Sequence, residues 1–191
     1  MNTALHGPLA TLSRWGVRAG GVLMLAAALL VSVDVIARKF FNVTAGGADE
    51  LSGYAFAIAT AWSFAFVTLD RMHVRVDALY RLLPMPLARV TDLLSSLALA
   101  AFALLLARYG FNVVEASWTM SARSNSALSV VLWVPQLLWW LGIALFVAAC
   151  LQQSGRAALA LARRDWQRVA AIAGARSALD DAAEEAMIAR R

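Results

Sequence analysis

Four long apolar stretches run through the chain, and ionisable residues fall only at their ends. Residues 19–33, 51–69, 93–107 and 124–155 contain no Asp, Glu, Lys, Arg or His. Each reaches the roughly 20 residues that a bilayer-crossing helix needs once its flanks are added. Nothing in them alternates as barrel strands do, and backbone polar groups cannot stay unpaired in hydrocarbon, so the spans are predicted to be helices. They are placed near 17–37, 50–69, 92–114 and 128–152. The fold class that follows is an all-α membrane protein with four transmembrane helices over 1–155 and a helical cytoplasmic tail over 156–191.

Positive charge sets the expected orientation, because loops rich in Lys and Arg are retained in the cytoplasm. With the N-terminus inside, thirteen of the 17 Lys and Arg residues are cytoplasmic: Arg14, Arg18, Arg71, Arg75, Arg81, Arg89 and the seven arginines of the tail. Arg38, Lys39, Arg108 and Arg123 remain outside. Both termini are therefore expected in the cytoplasm. The net charge of +5 becomes a topology signal, with a secondary attraction to anionic membrane lipid and no indication of nucleic acid. A composition that is 61% hydrophobic argues against a soluble domain. No cleavable signal peptide is expected, since the first apolar run is too long and ends in Asp34, Arg38 and Lys39 without a small-residue cleavage site.

The second span carries small residues at i+4 spacing, Gly53, Ala57, Ala61 and Ala65, beside bulky aromatics. Such a row lets another helix approach closely, which is how helices associate where lipid removes the hydrophobic drive. Between the second and third spans, Met72, Val76, Leu79, Tyr80 and Leu83 share one side of a helical wheel, and Arg71, Arg75, Asp77 and Arg81 lie elsewhere. This pattern predicts a short interfacial helix on the cytoplasmic side, ended by Pro84 and Pro86. Trp15, Trp118 and Trp133 fall near span ends, as interfacial anchors do.

Ion-coupled carriers, proton pumps and buried cofactor sites place ionisable or ligating side chains well inside the bundle, and these spans do not. Asp34 comes nearest, but it sits at the end of the first span with Arg38 one turn later, an acid-before-base pair. Asp49 and Glu50 open the second span, where carboxylates suit a helix N-terminus. Arg108 and Glu115 are two turns apart near the end of the third and can face the same way. The two histidines, His6 and His73, lie outside the spans, which excludes a bis-histidine haem within this chain. Cys150 is the single cysteine and reads as packing. No HExxH, GxSxG or Walker motif occurs, so an enzyme is not expected and no cofactor is.

Several short motifs resemble the DctQ-like small membrane subunit of tripartite ATP-independent periplasmic (TRAP) transporters. They are Arg38, Phe40, Phe41 and Asn42 after the first span; Asp49, Glu50, Leu51 and Ser52 opening the second; His73, Val74, Arg75, Val76 and Asp77 in the inner loop; and Ser126, Leu128, Trp133 and Gly142 around the last span. The resemblance runs over roughly residues 15–155. It implies a bacterial inner membrane location and two partners: a large DctM-like membrane subunit and a DctP-like periplasmic binding protein that delivers an organic acid. It also implies that substrate and sodium are carried by the large subunit and that the small one acts as a fixed brace. The alternative from the residues alone is an autonomous four-helix exporter of the small multidrug type, acting as a dimer. That carrier needs a carboxylate deep in its first helix, whereas Asp34 is at the edge and paired. A membrane anchor for a respiratory enzyme would call for buried histidines that the spans lack.

The charge distribution generates a direct test. Reporter fusions placed after Gln152 and within 42–47 should give opposite sidedness, and matching signals would overturn the four-span topology.

Overall fold

A computed structural model describes residues 7–44, 46–70 and 84–173. Among these are five helices: α1 (Pro8–Phe41), α2 (Ala48–Leu69), α3 (Met85–Thr119), α4 (Trp133–Ala162) and α5 (Trp166–Ala173). The first four are long and apolar enough to cross a membrane. Pro8 sits in the first turn of α1, and Pro84 and Pro86 frame the start of α3, where a missing N–H costs nothing. The prolines expected to end an interfacial segment therefore open α3. Asn42 closes α1 at φ 52, the left-handed conformation that asparagine tolerates.

The helices lie in the order α1, α2, α4, α3, in which each packs along its neighbours and α1 only grazes α4. Burial follows that order. The apolar window of α1, at one end of the row, is 11% buried, and that of α4, in the middle, is 39% buried.

Two seams of small residues run along α2. On one, Gly16 and Gly20 of α1 lie so close to Trp62 and Ala59 that an added Cβ would stand 3.1–3.2 Å from their atoms. On the other, Ala61 and Ala65, 1% and 0% exposed, face α4. There a Cβ on Gly142 would come within 2.8–2.9 Å of Trp62 and of the Ala61 backbone and side chain. The Trp62 indole N–H donates to the Leu138 carbonyl at 3.0 Å, so the large ring beside this seam is also satisfied. Antiparallel α3 is joined to α4 by Phe111 against Trp140, Trp118 edge-on to Trp133, and the Trp140 N–H on the Ala107 carbonyl at 2.8 Å. Further along, the Ser154 hydroxyl donates to the Ser96 carbonyl at 3.0 Å.

The small-residue row expected on α2 is thus divided. Ala61 and Ala65 pack inside this chain, Ala57 is half-buried, and Gly53 is exposed with nothing near its Cβ position. Helical rotation separates them, because residues four apart drift by about 40° per step.

The fourth helix starts at Trp133 rather than near 128. Residues before it are held in a loop by an antiparallel Arg123–Val131 bridge, with the Ser124 N–H on the Val130 carbonyl and the Leu132 N–H on that of Ala122. At its other end α4 runs on to Ala162, so the boundary drawn at 155 falls within a continuous helix. Arg164, at φ 54, turns the chain, and Asp165 caps α5 by accepting from the Arg168 N–H at 3.0 Å. Helix α5 packs against α3 and α4, burying Val169 and Ala173, and Gln153 donates to the Ile172 carbonyl at 3.0 Å. The first part of the segment expected as a cytoplasmic tail is therefore docked on the long helices.

Packing at the α2–α4 seam generates a prediction. Gly142→Val should destabilise the fold by about 1–3 kcal/mol, the usual cost of overpacking. Gly53→Ala, in open space, should be neutral or stabilising by up to about 1 kcal/mol. Thermal unfolding in detergent checks both, and equal effects would rule out the close contact.

Candidate interaction surface

At the end of the row where α1 meets α2, polar side chains gather against the connecting loops. Asp34 is 3% exposed, yet it lies on a helix in an apolar run and must be satisfied locally. Its carboxylate accepts from the Arg38 guanidinium one turn on and from the Thr44 hydroxyl at 3.1 Å. Thr44 in turn accepts from the Gly46 N–H at 3.2 Å. The pair therefore ties the α1–α2 loop down onto α1.

Beside it, the Tyr54 hydroxyl donates to Glu50, whose second carboxylate oxygen is buried without a hydrogen bond and neighbours Ser126 and Ser124. Those two hydroxyls share a hydrogen bond of 3.1 Å, and Ser124 also accepts from the Val130 N–H. Asp49 is exposed in the first turn of α2, and Asn42 is exposed at the C-cap of α1. Trp133 stacks its edge on Trp118 at 4.6 Å between centroids. Arg108 donates to Asn112, one turn away, rather than reaching Glu115. His73, Arg75 and Asp77, together with the interfacial segment that holds them, lie outside the described residues.

The structure brings Asp34 and Arg38 together with Thr44, and Glu50 with Ser124 and Ser126, loop residues that the sequence pattern did not tie to them. It also shows a second polar end. Asp92 is 1% exposed and pairs with Arg89 at 3.2 Å, close to Ser96, Ser154 and the α5 contact. The i, i+3 spacing of Arg89 and Asp92 was visible in the sequence; that the pair is buried depends on α4 and α5 and was not. Among the described residues no three His, Cys, Asp or Glu gather as metal ligands.

What the row presents outward is apolar. Along α1, Val22, Leu25, Leu29, Val33, Ile36 and Phe40 form one stripe at helical spacing, each at least 54% exposed. Helix α3 at the other end carries Leu94, Leu97, Phe102, Leu104 and Leu105, each at least 46% exposed. These faces suit lipid or a partner helix and nothing aqueous.

Residues 27–160 match the family model of the DctQ component of tripartite ATP-independent periplasmic transporters. That stretch takes in the C-terminal part of α1 from Ala27 on, all of α2 and α3, and nearly all of α4. Neither the curated proteins nor the solved structures include a match to this chain.

The Asp34–Arg38 pair is unequal, with side chains 2% and 55% exposed. Removing Arg38 takes its cation from a buried carboxylate, whereas removing the charge of Asp34 releases a guanidinium that is already accessible. Arg38→Ala should therefore cost more stability than Asp34→Asn, by about 1–3 kcal/mol. Thermal melts of the two variants in detergent check this, and the reverse order would mean that the carboxylate is not buried.

Proposed function

Because the chain belongs to the DctQ component family of tripartite ATP-independent periplasmic transporters, a transporter component family and not an enzyme family, we propose that it braces a large DctM-like membrane subunit. In this reading the large subunit carries out sodium-coupled uptake of an organic acid handed over by a DctP-like periplasmic binding protein. Sodium and substrate are bound in those partners, and this chain contributes rigid membrane-embedded surface. It sits in the bacterial inner membrane with both termini in the cytoplasm, in keeping with the positive charge bias.

The observation that carries the proposal is the row itself. Among the described residues the four helices lie in the order α1, α2, α4, α3, and their charge-free runs offer no acidic or basic side chain at mid-membrane to meet a moving ion. An ion-coupled carrier needs such a group, whereas a brace needs broad apolar faces on a fixed frame, as α1 and α3 supply. Ala61 and Ala65 lie inside the frame, so bulky replacements there act on this chain's own fold; partner contacts are sought on the outward stripes.

Proteoliposomes containing this chain alone, this chain with the large subunit, or all three components under a sodium gradient should accumulate an organic acid only in the last case. Accumulation by the isolated chain would reject the accessory role and revive the autonomous exporter. Tryptophan replacements at Leu25 and Leu29 on α1, or at Leu97 and Leu104 on α3, should abolish copurification with the large subunit for at least one helix. Full retention in both sets would remove the brace.

A further inference from the structure

Four arginines gather where α4 gives way to α5: Arg156 on the closing turns of α4, Arg163 at its C-cap, Arg164 in the turn and Arg168 on α5. All four are exposed, and among the described residues none of their guanidiniums has an ion pair or a hydrogen bond. Asp165 is the single acid between residues 153 and 173, and its carboxylate is engaged in capping α5 through the Arg168 N–H. Asp92, buried on α3, is paired with Arg89.

The fold brings cations of the two helices to one level. Turned back at Arg164, α5 runs antiparallel beside α4 until the Gln153 side chain reaches the Ile172 carbonyl at 3.0 Å. Arg156 lies three residues after Gln153, and Arg168 lies four before Ile172. These are steps of about 4.5 and 6 Å, and because the helices are antiparallel both lead the same way. Arg163 stands about 10 Å further along α4. The level of Arg156 is also where hydrocarbon ends, since residues 124–155 carry no charge and Arg156 is the first beyond them.

This arrangement opposes the docking it accompanies. Eight residues are too few to hold a helix alone, and α5 is fastened by the burial of Val169 and Ala173 and by the Gln153 bond. Against that, like charges on α4 and α5 repel. An anion shared between the helices removes the conflict. At headgroup depth the anion at hand is a phospholipid phosphate, whose oxygens a guanidinium matches in pairs. We propose that anionic phospholipid of the leaflet at this end, cytoplasmic by the charge bias, binds the α4–α5 turn. Its phosphates bridge Arg156 and Arg168, with Arg163 and Arg164 beside them, and so keep α5 docked.

The test uses the full-length chain, with any membrane partner that copurifies, in nanodiscs of phosphatidylcholine alone or mixed equally with phosphatidylglycerol. Amide hydrogen exchange over 166–173 reads the docking of α5. Phosphatidylglycerol should slow it by about fivefold or more, the effect of one or more basic side chains near an anionic surface. Arg156→Gln with Arg168→Gln should abolish the difference between the two lipids, and the paired Lys replacements should keep it. In phosphatidylcholine the glutamine variant should exchange no faster than the unaltered chain, because it has lost only repulsion. Faster exchange there would show that the arginines hold α5 by packing, and would overturn the proposal. Arg163→Gln with Arg164→Gln should shrink the lipid effect independently, which keeps the test open if the first variant misfolds. Equal exchange of the unaltered chain in both lipids would also overturn it. So would a loss of protection on neutralising Asp180, Asp181, Glu184 and Glu185 together, which would give the arginines to the chain's own acidic segment.

Discussion

Hydrocarbon gives two helices no reason to prefer each other over lipid, so the row depends on how closely α2 and α4 can approach. Gly142 against Ala61 is where that approach is tightest, with no room for a Cβ and with the Trp62 ring closing over the contact. Helix α2 is fixed there, and its second seam, through Ala59 and Trp62, then positions Gly16 and Gly20 of α1. Helix α4 carries α3 on its far side through Trp140, Phe111 and Phe146. Loss of the central contact would therefore separate the molecule into two helix pairs, each too short of partners to define the other's place.

Polar groups complete what close packing begins. Asp34, Thr44 and Glu50 bind the loops at one end, and Asp92, Ser96, Ser154 and Gln153 bind α3, α4 and α5 at the other. Most of these groups are paired locally, and Glu50 keeps one carboxylate oxygen buried without a hydrogen bond. The polar chemistry of the described residues thus goes largely into holding shape.

The four helices were legible because the charge-free runs are long and each polar boundary is abrupt. The Asp34–Arg38 pair was equally plain, since i, i+4 partners on a helix need no tertiary knowledge. The small-residue row on α2 was only half readable. Spacing identifies neighbours on a surface but not which neighbour covers them, and the drift of four-residue steps carries Gly53 out of the seam that holds Ala61 and Ala65. The start of α4 was misplaced because 124–132 is as free of charge as a span, and its loop is set by backbone bonds such as Ser124 to Val130 that composition does not encode. The docking of α5 needed Gln153 to find the Ile172 carbonyl across a turn and Val169 to be covered, contacts that neither segment shows in isolation.

The lateral contacts also stagger the apolar bands of the outer helices. The charge-free run of α1 is centred on Ala26 and that of α3 on Ala100. Following the contacts across the row, Gly20 at Ala59, Ala61 at Gly142 and Trp140 at Phe111, brings the level of Ala26 to the neighbourhood of Ala116 on α3. The two apolar bands are thus offset by about 16 residues, or roughly 24 Å along the helices. Tilting brings offset bands toward a common level, and α1 and α3, with 34 and 35 residues, are longer than an upright span requires. A partner helix standing upright against a tilted row would meet it crosswise, at one or two turns instead of along its length.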